Sequence, residues 1–191
     1  MTGAQEFRKP RRNLKGAHGT LEIDFTIADS PLGRLLLAAT TRGVCLVTMG
    51  DSDRSLEKDL HEEFPHAIIH RNDRVLSAQV RRLIEHLRGK SRQLELQLDV
   101  RGTTFQWRVW RQLQAIPYGE TRTYSEVAAG IGRSTATRAV ARACATNPVA
   151  LLIPCHRVIG MDGSLRGYRW GVARKEKLLQ QERATRLSTI D

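Results

Sequence analysis

Apolar positions along the chain change their period three times. Leu21, Ile23, Phe25 and Ile27 alternate with polar residues, the two-residue period of a strand with one buried face. Pro31-Leu32-Gly33 then marks a turn, and residues 35–39 and 44–48 read as apolar strands joined by Thr41-Arg42-Gly43. After Ser52 and Asp53, either of which can cap a helix, the period lengthens: Leu56, Leu60 and Phe64 share one face. A second helix groups Leu76, Val80, Leu83 and Leu87 and stops at Gly89. Residues 93–100 return to alternation, with Leu94, Leu96, Leu98 and Val100 inward, and predict one more strand.

Arg101-Gly102-Thr103 reads as a seam, and the pattern beyond it is mostly helical. Thr104 can cap a helix carrying Phe105, Val109, Leu113 and Ile116, ended by Pro117-Tyr118-Gly119. Thr123 and Glu126 fit a capping box, so a helix is expected from there to Gly130. A tight connection at 132–134 leads to a second short helix over 135–145, and two short helices about a glycine turn are a helix-turn-helix pattern. Ala136, Ala139, Ala141, Ala143 and Ala145 surround Arg138 and Arg142 on it. Such a surface suits close approach to a groove, and equally a well-packed alanine-rich helix. Asp162-Gly163 signals a turn, and a last helix over 172–183 buries Leu178 and Leu179. Glu182 lies one turn beyond Leu178, near that seam, although a solvated carboxylate is the default for a helical glutamate. The organisation expected is therefore a basic arm (1–19), an α/β structural domain (20–101), a helical domain (102–183) and a tail (184–191).

Candidate chemistry concentrates at Pro154-Cys155-His156-Arg157-Val158. The apolar run 149–153 reads as a short buried strand, and Pro154 biases Ile153 towards extended backbone. A thiol beside an imidazole is the pairing that generates a thiolate nucleophile at neutral pH. A buried structural cysteine is the plain alternative. The three cysteines are odd in number and lack metal-ligand spacing, which suggests neither a disulfide framework nor a zinc site and points to a reducing, cytoplasmic setting. No apolar run has the length of a membrane span, and none near the start resembles a secretory segment.

The net charge of +11 is unevenly placed. Residues 1–19 carry +4 and residues 20–100 carry −2, whereas residues 101–183 carry +9 from 14 cations, all but two of them arginine. Arginine suits phosphate and base-edge contacts, so a polyanion is the expected partner of the second half.

Several segments carry a resemblance: Arg101-Gly102-Thr103, Phe105-Gln106 with Val109-Trp110, Ile116-Pro117-Tyr118-Gly119-Glu120, Thr123-Tyr124 and Arg138-Ala139-Val140. Asn147-Pro148, the Pro154–Val158 core and Gly167-Tyr168-Arg169-Trp170-Gly171 continue it through Glu182. In order and spacing the chain resembles the O6-alkylguanine-DNA alkyltransferases (methylated-DNA–protein-cysteine methyltransferases), in particular the alkyltransferase half of bacterial Ada-type proteins.

The resemblance implies an α+β fold, with a small ribonuclease H-like α/β domain before a mostly helical, winged-helix-like domain containing the helix-turn-helix. It implies that Cys155 irreversibly accepts the alkyl group from O6 of guanine, and leaves O4-methylthymine open as a second lesion. His156 would activate the thiol through a bridging water, since neighbours in extended backbone point to opposite sides, and Glu182 would hold the other imidazole nitrogen. Tyr124 would offer its hydroxyl to guanine N3, and Asn147 would brace the turn before the active-site strand. Backbone carbonyls of Cys155 and Val158 would read the guanine edge, with Tyr168 as one wall. Arg169 and Trp170 fill positions that are small in some members, which predicts lower tolerance of bulky adducts. Double-stranded DNA would be entered from the minor groove, with Arg138 replacing the extruded nucleotide and Thr135, Ala139, Arg142 and Tyr124 as further contacts. The product thioether has no good leaving group, so each molecule would act once, as a monomer, without metal or other cofactor, in the bacterial cytoplasm. The zinc-binding module of Ada-type regulators is not expected in the cysteine-free residues before the first strand. A lesion-binding module without transfer, a Cys-His-Glu hydrolase and a plain transcription regulator are the competing readings.

Overall fold

In the computed structural model, which describes residues 21–187, the alternating opening segment forms strand β1 (Glu22–Ser30). Strands β2 (Gly33–Thr40) and β3 (Gly43–Gly50) follow by tight turns, each antiparallel to its predecessor. The expected basic arm lies outside the described residues. Helix α1 (Asp53–Glu63) starts where Ser52 accepts a hydrogen bond from the Ser55 amide, and it buries Leu56 and Leu60. Strand β4 (Ile68–Arg71), which the periodicity does not announce because it is short and mostly exposed, pairs parallel to β1. The sheet order is β3-β2-β1-β4.

Alternation sends the two faces of this sheet to different cores. Ile23, Phe25, Ile27, Leu36 and Ala38 pack under α1, while Leu35, Leu37, Ala39 and Val47 face the other way. Helix α2 (Asp73–Leu87), capped by Asn72, lays Leu76, Val80, Leu83 and Leu87 on that second face. The same cluster continues into Trp110, Val140 and Ile153, so the halves on either side of the seam share one core.

Residues 93–100 do not form the expected strand. Leu96 is buried and its neighbours at 94, 98 and 100 partly so, but the backbone pairs only at Val44–Leu98, where it covers the edge of β3. Alternation records which residues face inward, not whether a neighbouring strand is available. Helix α3 (Thr104–Gln114) begins one residue earlier than expected, with Thr103 and Gln106 as a reciprocal capping box. Its Trp110 is fully buried, and the indole N–H donates to the Ala143 carbonyl at 2.9 Å, tying α3 to a later helix.

Strand β5 (Arg122–Thr123) leads into helix α4 (Tyr124–Gly130), capped by Thr123 and Glu126 as the sequence predicts. Helix α5 (Thr137–Ala145) follows after the turn at Gly132, where φ is +70°. It starts two residues later than expected, so Thr135 sits in the turn. The run 149–153 is buried but is not a strand. Leu152 donates to Ala150, Ile153 to Val149 and Cys155 to Ile153, and Leu151 takes a left-handed φ of 70°. A buried segment must satisfy its own amides: here Ala150 donates to the Val47 carbonyl of β3 at a single bridge, and the residues beyond it coil rather than pair. Strand β6 (Val158–Ile159) pairs parallel to β5. The last helix, α6 (Val172–Leu187), runs four residues past its expected end, through residues expected to be tail. No helix among the described residues is long and apolar enough to cross a membrane.

Candidate active site

Cys155 opens a single 3-10 turn, Cys155–Arg157, between the coiled apolar segment and β6. The extended backbone expected here is absent, so Cys155 and His156 diverge through a helical turn instead of a pleat. The thiol is 4 % exposed. Its sulfur accepts a 3.3 Å hydrogen bond from Asn147 Nδ2, which also donates to the Ile153 carbonyl at 2.8 Å. Asn147 Oδ1 accepts from the Val149 amide, so one buried amide group shapes the whole turn that presents the sulfur. Burial pushes the Cys155 thiol up to about 11, against the opposing hydrogen bond of Asn147 and the charge of Lys175. At rest the group is a thiol, and a base must take its proton.

His156 is sealed from solvent, and its Nε2 lies 2.8 Å from Glu182 Oε1. Arg157 binds both oxygens of the same carboxylate, with Nε 2.9 Å from Oε2 and Nη2 2.9 Å from Oε1. The Gly119 amide donates to Oε2 at 3.0 Å. A side chain at residue 119 would meet the Glu182 carbonyl and Arg186, and φ there is +77°, so the close approach requires glycine. Burial alone would raise the Glu182 pKa, but the hydrogen bonds and charges of His156 and Arg157 hold it at about 2. Arg157 is permanently cationic, which makes the carboxylate anionic whatever the state of the imidazole. Burial holds His156 below the ordinary imidazole value, so the ring is neutral near pH 7. An acceptor-only carboxylate then fixes the tautomer: Nε2 carries the proton and donates to Glu182, leaving the Nδ1 lone pair as a base. Nδ1 is buried without a hydrogen-bond partner among the described residues.

Sequence reasoning gave no role to two cations here. Arg157 stood inside the recognised core, but nothing local showed that it turns inward to Glu182. Lys175 is fully buried and donates to the carbonyls of Val158 at 2.6 Å and Arg166 at 3.1 Å. Its signal was available, because Lys175, Leu178, Leu179 and Glu182 follow the i, i+3, i+4, i+7 spacing of one helix face. The Val158 carbonyl thus already serves a lysine, which leaves one lone pair for any other donor.

The sulfur faces a cavity of about 690 Å³ lined by Tyr124, Arg138, Ala141, Met161, Tyr168 and Arg169, among others. Burial pushes the Tyr124 hydroxyl up to about 12, so it stays protonated and can donate. The Tyr168 ring stands edge-on to His156 and to Trp170, at centroid distances of 6.5 and 5.0 Å. Trp170 is not on the cavity wall; its indole N–H donates to Thr48 Oγ1 at 2.9 Å. Arg169 lies between, 5.9 Å over the Trp170 ring, and pairs with Glu63 at 3.6 Å. Thr135, Arg138, Ala139 and Arg142 are all exposed on or beside α5, but of these only Arg138 borders the cavity. The structure therefore brings Cys155, Tyr124, Arg138, Tyr168 and Arg169 to one cavity, with His156, Glu182 and Asn147 behind it. All three cysteines are free and buried, and no cluster of three or more His, Cys, Asp or Glu side chains suits a metal among the described residues.

Comparison with known proteins gives matching results for both halves. Residues 23–100 match the model of the 6-O-methylguanine DNA methyltransferase ribonuclease-like domain, and residues 104–184 that of the 6-O-methylguanine DNA methyltransferase DNA binding domain. The chain is 44 % identical over 179 residues to the bifunctional transcriptional activator/DNA repair enzyme Ada of Escherichia coli, covering 94 % of this chain and 49 % of Ada. It thus spans about half the length of that relative. A methylated-DNA–protein-cysteine methyltransferase of Mycolicibacterium paratuberculosis is 41 % identical over 84 % of this chain and 93 % of its own. The crystal structure of Mycobacterium tuberculosis OGT in complex with DNA superposes with a TM-score of 0.73 at 36 % identity, covering 90 % of this chain and all of that one.

Proposed function

The chain belongs to the methylated-DNA–protein-cysteine methyltransferase family, and on that premise we propose that it repairs O6-alkylguanine in DNA by moving the alkyl group onto Cys155. The observation that carries this reading is the position of the Cys155 sulfur, facing a cavity bordered by Arg138 and backed by the closed His156–Glu182–Arg157 cluster.

The chemistry follows from the protonation states. Cys155 must lose a proton as its sulfur attacks, and His156 Nδ1 is the available base, reached through a bridging water. Glu182 cannot rotate away, because Arg157 and Gly119 hold it, so it keeps the imidazole in the competent tautomer and stabilises the imidazolium that forms. A sulfur–carbon bond forms as the bond from carbon to O6 breaks, and the electron pair stays with the guanine. Tyr124, still protonated, donates to that developing anion at N3. The product is a thioether, and no group in the site offers a route back to the thiol. One molecule repairs one lesion.

A base inside a duplex cannot present O6 to a buried sulfur, so the nucleotide must leave the stack. Arg138, exposed on α5 at the cavity edge, would occupy the gap, and the small side chain of Ala139 beside it would suit close approach from the minor groove. Thr135 and Arg142 would contact the flanking backbone, and a single copy of the chain contains every group the reaction uses.

The test is incubation with duplex DNA bearing a radiolabelled methyl on O6 of guanine, followed by mapping of the label. Transfer to Cys155 of up to one equivalent, abolished in Cys155→Ala with DNA affinity retained, is expected. Binding without transfer would return the site to a recognition module, and multiple turnover would make it a hydrolase.

A further inference from the structure

We propose that Met161 is a second DNA-contacting residue, closing over the extruded nucleotide at the rim of the cavity that Arg138 also borders. The inference rests on the repair reading above and adds a contact that the sequence did not single out. Met161 is 86 % exposed, against 44–66 % for the other exposed large hydrophobic side chains of the described residues. A single exposed apolar side chain is ordinary on a protein surface. This one lies on the wall of the cavity that holds Cys155, whose lining also includes the small side chains Ala141 and Ala145 of α5.

Its backbone is built to keep it there. The Gly160 amide donates to the Ser164 carbonyl at 2.8 Å, and Gly163 donates back to Gly160. Asp162 Oδ1 accepts from both the amide and the hydroxyl of Ser164, while Arg166 pairs with Oδ2 at 2.9 Å. A Cβ at residue 160 would displace the Asp162 carboxylate and the Ser164 hydroxyl, so glycine there lets the two side chains meet. The methionine at its tip is held at the rim and does not fold into the core.

The surroundings select the ligand chemistry. Arg138, Arg166 and Arg169 border the same cavity and suit phosphate oxygens. A thioether chain offers phosphate nothing. What it matches is the apolar face of the deoxyribose, surface that becomes available only when a nucleotide leaves the helix and that a free base lacks. Unbranched and flexible, methionine can follow that surface as the nucleotide swings in. Burying it on the flipped state alone would favour that state, as inserted apolar side chains do in other DNA-bending proteins.

Two measurements test this, each alongside wild-type transfer from the labelled duplex. Met161→Ala is expected to slow transfer from duplex about tenfold, the effect of one apolar side chain buried in the flipped complex. Reaction with free O6-methylguanine base should stay within about twofold. Met161→Leu should restore the duplex rate and Met161→Gln should not. In the Cys155→Ala variant, sulfoxide formation at Met161 under dilute peroxide should be suppressed by lesion-bearing duplex and not by undamaged duplex. Equal rates for Met161→Ala and wild type on duplex, equal losses on both substrates, or unprotected oxidation would each overturn the inference while leaving transfer to Cys155 intact. Absence of transfer in the wild type would instead overturn the repair reading, and this inference with it.

Discussion

Glu182 Oε1 accepts a 2.8 Å hydrogen bond from His156 across 26 residues of sequence, and the same carboxylate is gripped by Arg157, the next residue after the histidine. Adjacent residues of one short turn therefore bind one acid on α6. The imidazole is the part that can accept a proton, and the guanidinium is the part that keeps the acid ionised.

Glu182→Gln removes the anion while keeping the volume. Arg157 is then left buried without its counter-charge, which should cost about 3–5 kcal/mol of stability. The amide no longer enforces the Nε2–H tautomer, and transfer at neutral pH should slow by at least about tenfold. Single-turnover rates measured well below the melting temperature separate the two effects. An unchanged rate would return Glu182 to a purely structural part.

Acid should destabilise the fold in two stages of the same sign. Burial holds the folded His156 below its ordinary 6.5, so its contribution is present above pH 6.5 and declines as pH falls below it. Glu182 is held at about 2 against an ordinary 4.5, despite its burial, so its contribution is present above 4.5 and is lost between 4.5 and 2. Thermal unfolding across pH 7 to 2 checks this, and the lower stage should be smaller in Glu182→Gln, where Asp53, Asp73, Glu126 and Asp162, also held below their ordinary values, still contribute.

Asn147→Ala would strip the Val149 amide and the Ile153 carbonyl of their buried partner and release the Cys155 sulfur. A loss of about 2–4 kcal/mol is expected from the orphaned backbone groups. The Cys155 thiol should also titrate higher, since the Asn147 bond opposes the upward push of burial. Thiol alkylation rate against pH reads that shift independently of stability.

Arg138→Ala should slow repair in duplex by about tenfold or more and leave attack on a free modified base nearly unchanged. Its side chain is exposed, so the melting temperature should not move. Equal losses on both substrates would argue against any part in extruding the nucleotide.

Trp170→Gly tests the expectation of adduct size. The ring is 5 % exposed and bonded to Thr48, behind the cavity wall, so its removal should cost about 3–5 kcal/mol. The space released lies beyond Arg169 and should speed inactivation by a benzylated free guanine. Unchanged inactivation in both Trp170→Gly and Arg169→Ala would remove the idea that these residues limit the adduct.

By itself the sequence determined whatever is local in origin. Strand β1 followed from two-residue alternation, β2 and β3 from apolar runs between turn signals, and α1, α2 and α4 from capping residues and one-sided apolar spacing. The Cys155-His156 pair and the Arg138 helix stood in the chain as contiguous motifs. Only the tertiary structure decided what depends on a distant partner. Residues 93–100 alternate like a strand, yet they meet the edge of β3 at a single bridge, because residues 148–150 occupy that edge further along, at Val47. The apolar run 149–153 coils, since the Asn147 amide takes up the backbone groups that a sheet would have used. Arg157 and Lys175 turn inward because Glu182 and the carbonyls of Val158 and Arg166 wait for them, contacts made between segments far apart along the chain. Periodicity encodes which side of a segment avoids water, while the partner that a buried polar group finds is set by the packing of the whole chain.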